Sequence, residues 1–447
     1  MPSVSAVVKI VALDHAPDPS LVLDSREPGV ALLDGWSDVD AHVFAPDSRG
    51  GWRLMLPWPE RTRMLPWSRA AEWQDVIREL DEEVAGEAVH RELPFCGGWV
   101  GYLAYECGAA SEGAAPRTSL PVEPPLFFAL HRAGIAIDPG GRAWLFAPAH
   151  EIDLRLRQIV DSAQQHRIDR SVRVMPAQLH DSFGDGAHRD AVEQVRRAIR
   201  DGEVYQVNLT RVLSANRATD AAALHAALIG ASPPSASAFL RGEQCDVISA
   251  SPELLLCFDR RDGVADSRPI KGTARRAGDD AREIAMLLAS EKDAAEHLMI
   301  VDVTRNDFGK VAPAGFVSVA AFRRVQTLEH VHHLESIVRA SGLRNQSLAD
   351  LLGALLPAAS ITGAPKRAAV SMIREIEPEA RGVYCGSIGW IDAAGARFSV
   401  AIRAAVRTDS TVRYHAGGGI VWDSEAASED DESWAKAAAF LAFLEEK

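Results

Sequence analysis

The apolar and polar positions of this chain change period along its length, and the pattern is sharpest from Arg189 onward. RDAVEQVRRAIRDGE (189–203) places apolar residues at helical spacing, and VYQVNLTRVLSA (204–215) then reads as a strand. CDVISASPELLLCFD (245–259) predicts a strand with a turn at Ser251-Pro252. Residues 280–306 predict helix, and FRRVQTLEHVHHLESIVRA (322–340) alternates as a strand does. LADLLGALLPAA and PKRAAVSMIREI predict two helices around a Ser-Ile-Thr-Gly turn. GVYCGSIGWIDA, RFSVAIRAAVRT and VRYHAGGGIVW predict three successive strands, and residues 424–447 a closing helix.

Before Arg189 the signals are shorter. Runs such as VALLDGW and WRLMLPW are strands broken by Pro and Gly turns. CGGWVGYLAYECG (96–108) predicts a buried strand with close backbone packing at its glycines, followed by a loop over 109–126. Residues 151–167 have helical character, and 171–188 read as a polar connection. Many strands in hairpin order, with helices between some of them, give an α+β fold with large, mainly antiparallel sheets.

Composition narrows the function classes. The net charge of −14 argues against nucleic acid and anionic membrane surfaces as partners. An anionic small molecule would need locally gathered Arg, Lys, backbone N–H groups or a metal. The five cysteines (96, 107, 245, 257, 385) are odd in number and lack C-x-x-C spacing, which disfavours a disulfide framework or a zinc site. No run approaches the roughly 18 apolar residues of a membrane span, and the first residues lack a signal-peptide pattern, so a cytoplasmic protein is the expectation.

Four constellations could carry chemistry. In RPIKGTARR, Lys271 sits where a strand ends or turns, and burial with cations such as Arg268 or Arg275 nearby would favour a neutral, nucleophilic amine; a solvated surface lysine is the alternative. Asp293 with Glu296, and Glu429 with Glu432, are i, i+3 pairs on two predicted helices. Converging helices of that kind could hold a hard cation such as Mg²⁺, though acidic solvated faces would look the same. The glycines 417–419 in AGGGIV let backbone N–H groups approach an anion, or simply make a bend. In EHVHHLES, alternation puts His330 and His332 on one face and His333 on the other. That disfavours a three-His metal site and leaves His333 as a hydrogen-bonding residue.

Taken in order, GEVYQVNLTR, SPELLL, PIKGT, EHLMIVDVTRND, HLES, SITGAPKRAA, CGSIGW, AIRAA and AGGGIVWDSE resemble the chorismate-utilising enzymes. That family includes anthranilate, aminodeoxychorismate, isochorismate and salicylate synthases. GGWVGYLAYE and LLDG, nearer the N-terminus, are similar to its aminating members. The resemblance implies one large sandwich of two mainly antiparallel sheets packed face to face, with helices outside. Residues 1–170 would be its N-terminal part and 187–447 its chorismate-binding catalytic region, the two forming one compact unit. Two positions point to a branch. Gln206 stands where the hydroxylating members place a base lysine, and Lys271 stands where anthranilate synthases usually carry alanine, as in the aminodeoxychorismate synthases.

The roles implied by the resemblance follow. Mg²⁺ would bind the chorismate ring carboxylate through Glu296 and Glu432, with Asp293 and Glu429 supporting. Arg403, Tyr384 and the Gly418 and Gly419 amides would hold the enolpyruvyl carboxylate, with Gly272 and Gln206 also lining the substrate. Lys271 would attack C2 and Glu253 would protonate the departing C4 hydroxyl, while Thr273 and His333 orient the ring. Ammonia would come from a separate glutaminase subunit, since this chain carries no Cys-His glutaminase signature. The alternatives are an anthranilate synthase large subunit and an inactive binding or regulatory member.

Overall fold

The protein is described by a computed structural model over residues 8–36, 51–114, 117, 119–165, 179–231, 236–328 and 331–445. His330 lies outside the described residues, as do residues 171–178 of the polar connection read over 171–188, whose remainder holds the short strand Leu179–Asp181 and the start of helix Ala187–Arg200. Two mainly antiparallel sheets, one of 12 strands and one of 10, form the body of the molecule. Both interleave strands from the two ends of the chain. In the larger sheet Ala31–Trp36 pairs with Ala236–Arg241. In the smaller one Gly98–Leu103 pairs with Ser387–Ile391.

The sheets pack face to face because successive strand residues point to opposite sides. On strand Ala31–Trp36, Leu33 and Trp36 join an interior cluster with Val100, Tyr102, Ile388 and Trp390 of the other sheet. Leu32, on the opposite side, joins a second cluster with Leu224 and Phe440, which lie on helices covering the larger sheet. The outer face of the smaller sheet is covered likewise: Trp99, Phe128 and Phe398 cluster with Ile77, Leu352 and Ile373 of three helices. Strands buried on both faces need apolar residues at nearly every position, which is why LFFALH (Leu126–His131) is buried throughout.

Several elements depart from the sequence pattern. The buried strand read over 96–108 ends at Leu103, and a helix begins at Tyr105. Its glycine packing is as expected: a Cβ on Gly101 would lie 2.0 Å from the Phe127 carbonyl oxygen. The helix over 280–306 is two helices, Asp280–Ala289 and Glu291–Gly309, because Ser290 takes an extended conformation and its side chain caps the second at Asp293 N–H. The alternating stretch 322–340 is part of a hairpin of Val317–Thr327 with Val331–Ala340. The closing helix is divided at Ala437 into Ala426–Lys436 and Ala438–Glu445.

Two further departures shape the interior. CDVISASPELLLCFD is not one bent strand of one sheet. Asp246–Ser251 belongs to the larger sheet and Leu254–Asp259 to the smaller. RFSVAIRAAVRT divides in the same way, Gly395–Val400 in the smaller sheet and Ala404–Arg407 in the larger. The two switches lie side by side. The Val400 amide donates to the Glu253 carbonyl at 3.0 Å, and the Ala250 amide to the Arg403 carbonyl at 3.1 Å. Strands that change sheets make the corner where two sheets meet, and here the corner residues are Glu253 and Arg403.

Candidate functional site

The site grows from that corner. Strand Ile270–Arg275 pairs with Val331–Ala340, and its register shifts between Ile270 and Thr273. The extra residue makes a bulge, with Gly272 at φ +96°, a conformation that favours glycine. Bulges re-aim side chains, and Lys271 lies in this one. Its carbonyl is held by His297 Nδ1 at 2.9 Å, and His297 Nε2 meets Ser336 Oγ at 2.6 Å. The Lys271 amine pairs with Glu296 Oε2 at 2.6 Å. The sequence pattern predicts arginines such as Arg268 or Arg275 beside this amine. The charged partner is instead a carboxylate, because the helix after Ser290 lays Glu296 across the bulge, while Arg268 is occupied electrostatically by Glu335.

The glycine run lies near the end of strand Val412–Ile420, where Lys271, Gln206, Glu429 and Glu432 meet it. A Cβ on Gly419 would lie 3.2 Å from Lys271 Nζ and 3.1 Å from Gln206 Nε2. A Cβ on Gly418 would lie 3.3 Å from Glu429 Oε2 and 3.4 Å from Glu432 Oε1. Gly417 is needed for backbone packing, its Cβ position being 2.2 Å from the Leu209 carbonyl oxygen. Adjacent glycines thus draw Lys271 and Gln206 to one side and the C-terminal carboxylates to the other. Gln206 is fully buried, and neither its amide nitrogen nor its amide oxygen has a hydrogen-bond partner. Buried polar side chains are seldom left so, and this one lies beside the amine.

The four carboxylates have different settings. Glu296 is buried and also lies 3.9 Å from Lys292 Nζ. Glu429 is buried and accepts from Ser424 Oγ at 2.6 Å. Glu432 is half exposed and pairs with Lys436 Nζ at 2.7 Å. Burial pushes the Glu432 carboxyl up, but Lys436, Lys271 and Lys292 outweigh it and hold it below the usual range. Asp293, one turn before Glu296, has its Cβ 3.5 Å from the Cβ position of Gly272. The donor set is all oxygen, and amines already neutralise two of its members. A hard cation such as Mg²⁺ suits such a set, so the residues fit one.

Glu253 lies at the corner, buried, with Oε1 accepting from Ser360 Oγ at 2.6 Å. Burial lifts its carboxyl to about 8; the Ser360 bond opposes this, the charge of Glu335 adds to it, and Lys271 opposes. A carboxylic acid that stays protonated at neutral pH can donate a proton. Thr273 Oγ1 and His333 Nδ1 are 2.8 Å apart, and His333 Nε2 is buried without a partner. Burial, then Arg403 and His332, bring His333 down to about 4, so its ring is neutral. Arg403 holds φ +49° at the second sheet switch and is mostly buried, which lowers it from its ordinary value. Tyr384 is buried and stacks on His415 with centroids 4.9 Å apart.

Most of the sequence-derived residues therefore gather along the bulge, the corner and the glycine run, whereas Tyr384 packs on His415 instead. Ser360, Lys292 and Lys436 were missed. Ser360 lies in the SITG motif, which marked a turn without assigning its hydroxyl. Lys436 follows Glu432 at i+4, a spacing that pairs charges on a helix. Arg381 was missed too: it is buried, grips both carboxylate oxygens of Glu377 and donates to the carbonyls of Ile361 and Asn208. It thereby locks strand Gln206–Ala215 and the Ser360 turn together.

The sequence profile described as chorismate binding enzyme matches residues 42–442. Aminodeoxychorismate synthase component 1 of Klebsiella aerogenes is 34% identical over 361 residues, covering 80% of this chain and 79% of that protein. Anthranilate synthase component 1 of Streptomyces coelicolor is 34% identical over 382 residues, covering 78% and 73%. Among solved structures, anthranilate synthase component I from Streptococcus pneumoniae TIGR4 superimposes with a TM-score of 0.72 at 25% identity, covering 98% of this chain and 92% of that one.

Proposed function

The chain belongs to the family of chorismate-binding enzymes, and on that premise we propose that it aminates chorismate at C4 to give 4-amino-4-deoxychorismate, with ammonia from a partner glutaminase. The observation that carries the choice is Lys271, an amine in a strand bulge between Glu296 and the glycine run. Relatives designated aminodeoxychorismate synthase component 1 support the same branch, and the designation supports a partner component.

Bound Mg²⁺, held by Glu296 and Glu432 with Asp293 and Glu429 beside them, would neutralise and fix the substrate's ring carboxylate. Arg403 and Tyr384, with the Gly418 and Gly419 amides, take the enolpyruvyl carboxylate. Gly272 leaves room beside the ring, and the unpartnered amide of Gln206 offers it a donor and an acceptor. Thr273 and His333 orient it. An amine held by a carboxylate does not attack, so Lys271 first separates from Glu296 and passes its proton to solvent water, from which it is restored after the C2–N bond breaks. Its lone pair then bonds to C2, the ring double bonds shift toward C4, and the C4–O bond breaks. Glu253 supplies the proton with which that oxygen leaves as water. Ammonia next attacks C4, the double bonds shift back, and the C2–N bond to Lys271 breaks. The new ammonium returns a proton to Glu253. The enolpyruvyl ether is untouched throughout, so pyruvate is not lost.

Product identification tests the reading. Chorismate, Mg²⁺ and ammonium should give a non-fluorescent product that a lyase converts to p-aminobenzoate. Fluorescent anthranilate with release of pyruvate would assign the chain to the other aminating branch.

A further inference from the structure

On the other side of the strand from His333, a second group of ligating atoms comes together. Asp280, Glu283 and His332 each offer one ligand atom, and these lie within 4.8 Å of one another. His332 is fully buried and its Nε2 has no hydrogen-bond partner. That nitrogen points between two carboxylates, 3.4 Å from Asp280 Oδ1 and 3.5 Å from Glu283 Oε2. Glu283 Oε2 is itself buried and unpartnered. In a tetrahedral site with bonds of about 2.0–2.1 Å, ligand atoms stand roughly 3.3–3.4 Å apart. Two edges of such a site are thus already formed.

The surroundings hold these atoms in place. Thr327 Oγ1 and His332 Nδ1 are 2.9 Å apart, so the outer ring nitrogen is engaged and the ring is oriented. Metal-binding imidazoles are commonly fixed through their second nitrogen in this way. Glu283 Oε1 accepts from the Ala277 and Asp279 amides at 2.9 and 3.3 Å, which turns Oε2 toward the ring. Asp280 takes a two-pronged contact from Arg276 at 2.8 Å on each oxygen. One guanidinium against two carboxylates leaves the group net negative.

The geometry points to a second metal site at Asp280, Glu283 and His332, taking a divalent ion of the zinc class with water as the fourth ligand. One imidazole with two carboxylates suits Zn²⁺ better than Mg²⁺, which prefers oxygen ligands and six-fold coordination. The ion would fasten the start of helix Asp280–Ala289 to strand Val331–Ala340. It is separate from the carboxylates beside Lys271 and stands whether or not the reaction proposed above is the right one.

The test is a titration of Zn²⁺, and of Co²⁺ as its coloured substitute, into the full chain at saturating Mg²⁺. One equivalent should bind, and Co²⁺ should give the visible absorption of a four-coordinate ion. Glu283→Gln and Asp280→Asn should each weaken binding at least tenfold, while Glu296→Gln leaves it unchanged. Replacement of His332 opens a buried position, so the two carboxylate variants keep the result readable if that protein does not fold. Failure to bind Zn²⁺ would overturn the proposal. So would equal binding by Glu283→Gln, or a loss that follows Glu296→Gln instead, which would place the ion beside Lys271.

Discussion

Replacing Glu253 by Gln tests the corner carboxyl in two independent ways. Gln keeps the size and an oxygen for Ser360 but cannot ionise or donate an acidic proton. Burial lifts the native carboxyl from 4.5 to about 8. At about 1.4 kcal/mol per pH unit, the folded protein disfavours the charged form by roughly 5 kcal/mol. The folded state therefore holds the proton more tightly than the unfolded one. Below about pH 4.5 both states are protonated and there is no effect. From there to about 8 the unfolded chain ionises first, and stability falls as pH rises. About 2 kcal/mol of that loss should accrue between pH 6 and 8. Urea unfolding of the parent and Glu253→Gln should therefore diverge over this interval, the variant gaining relative stability, and run parallel above it. The second readout is the rate at which chorismate loads Lys271 in the absence of ammonia. Its alkaline limb should fall with an apparent pKa near 8, and Glu253→Gln should lose at least about a hundredfold in rate, the usual worth of a general acid. Parallel stability curves from pH 6 to 8 would refute the raised carboxyl. A parent-like loading rate in the variant would refute its role as the acid.

Other substitutions probe the remaining parts. Chorismate without ammonia should leave a covalent adduct that peptide mapping places on Lys271. Lys271→Ala should lose both adduct and C4-aminated product at low ammonia, with some C2 amination possible in the space created; Lys271→Arg should be worse, since guanidinium stays protonated. A Lys271→Ala enzyme working at the parent rate would end the covalent scheme. Glu432→Ala should abolish turnover while circular dichroism and unfolding stay near the parent, because the residue is half exposed; full activity at ordinary Mg²⁺ would remove it from the metal's ligands. The purified chain should aminate with ammonium and not with glutamine, and glutamine-dependent product from it alone would contradict a separate glutaminase. Gly101→Ala should destabilise by about 1–3 kcal/mol or more in thermal or urea unfolding, since its Cβ position is 2.0 Å from the Phe127 carbonyl oxygen; an unchanged midpoint would show that the sheet yields there.

Much of the fold was legible because strands buried on both faces and amphipathic helices leave strong patterns, as in Leu126–His131 and Ala187–Arg200. What alternation cannot report is the sheet a strand joins. RFSVAIRAAVRT reads as one strand because residues on each side of Ala401 are equally apolar; only the pairing of Gly395–Val400 with Leu254–Asp259, and of Ala404–Arg407 with Asp246–Ser251, reveals the switch. The break at Ser290 was hidden for a similar reason, since serine tolerates a helix interior as well as a cap. The Asp293–Glu296 and Glu429–Glu432 pairs were visible as spacings. Their approach to one glycine run, and the burial that distinguishes Glu253 from the chain's many exposed glutamates, depend on contacts between residues far apart in sequence. The Asp280–Glu283–His332 group went unread because nothing in the sequence ties His332 to two acids about fifty residues earlier.

The interleaving of early and late strands governs how this protein meets the ribosome. Gly98–Leu103 acquires one neighbour quickly, Leu126–His131. Its other edge must wait for Ser387–Ile391, about 280 residues later. At roughly 5–20 residues per second, that edge stays open for about 15–60 s of synthesis. Ala31–Trp36 waits in the same way for Ala236–Arg241. Each nascent chain therefore carries apolar, hydrogen-bond-hungry borders in search of a mate, and on a crowded polysome the same borders of a neighbouring nascent chain are the nearest match. Yield in a foreign host should depend more on slow translation and chaperone supply than on the stability of the finished molecule.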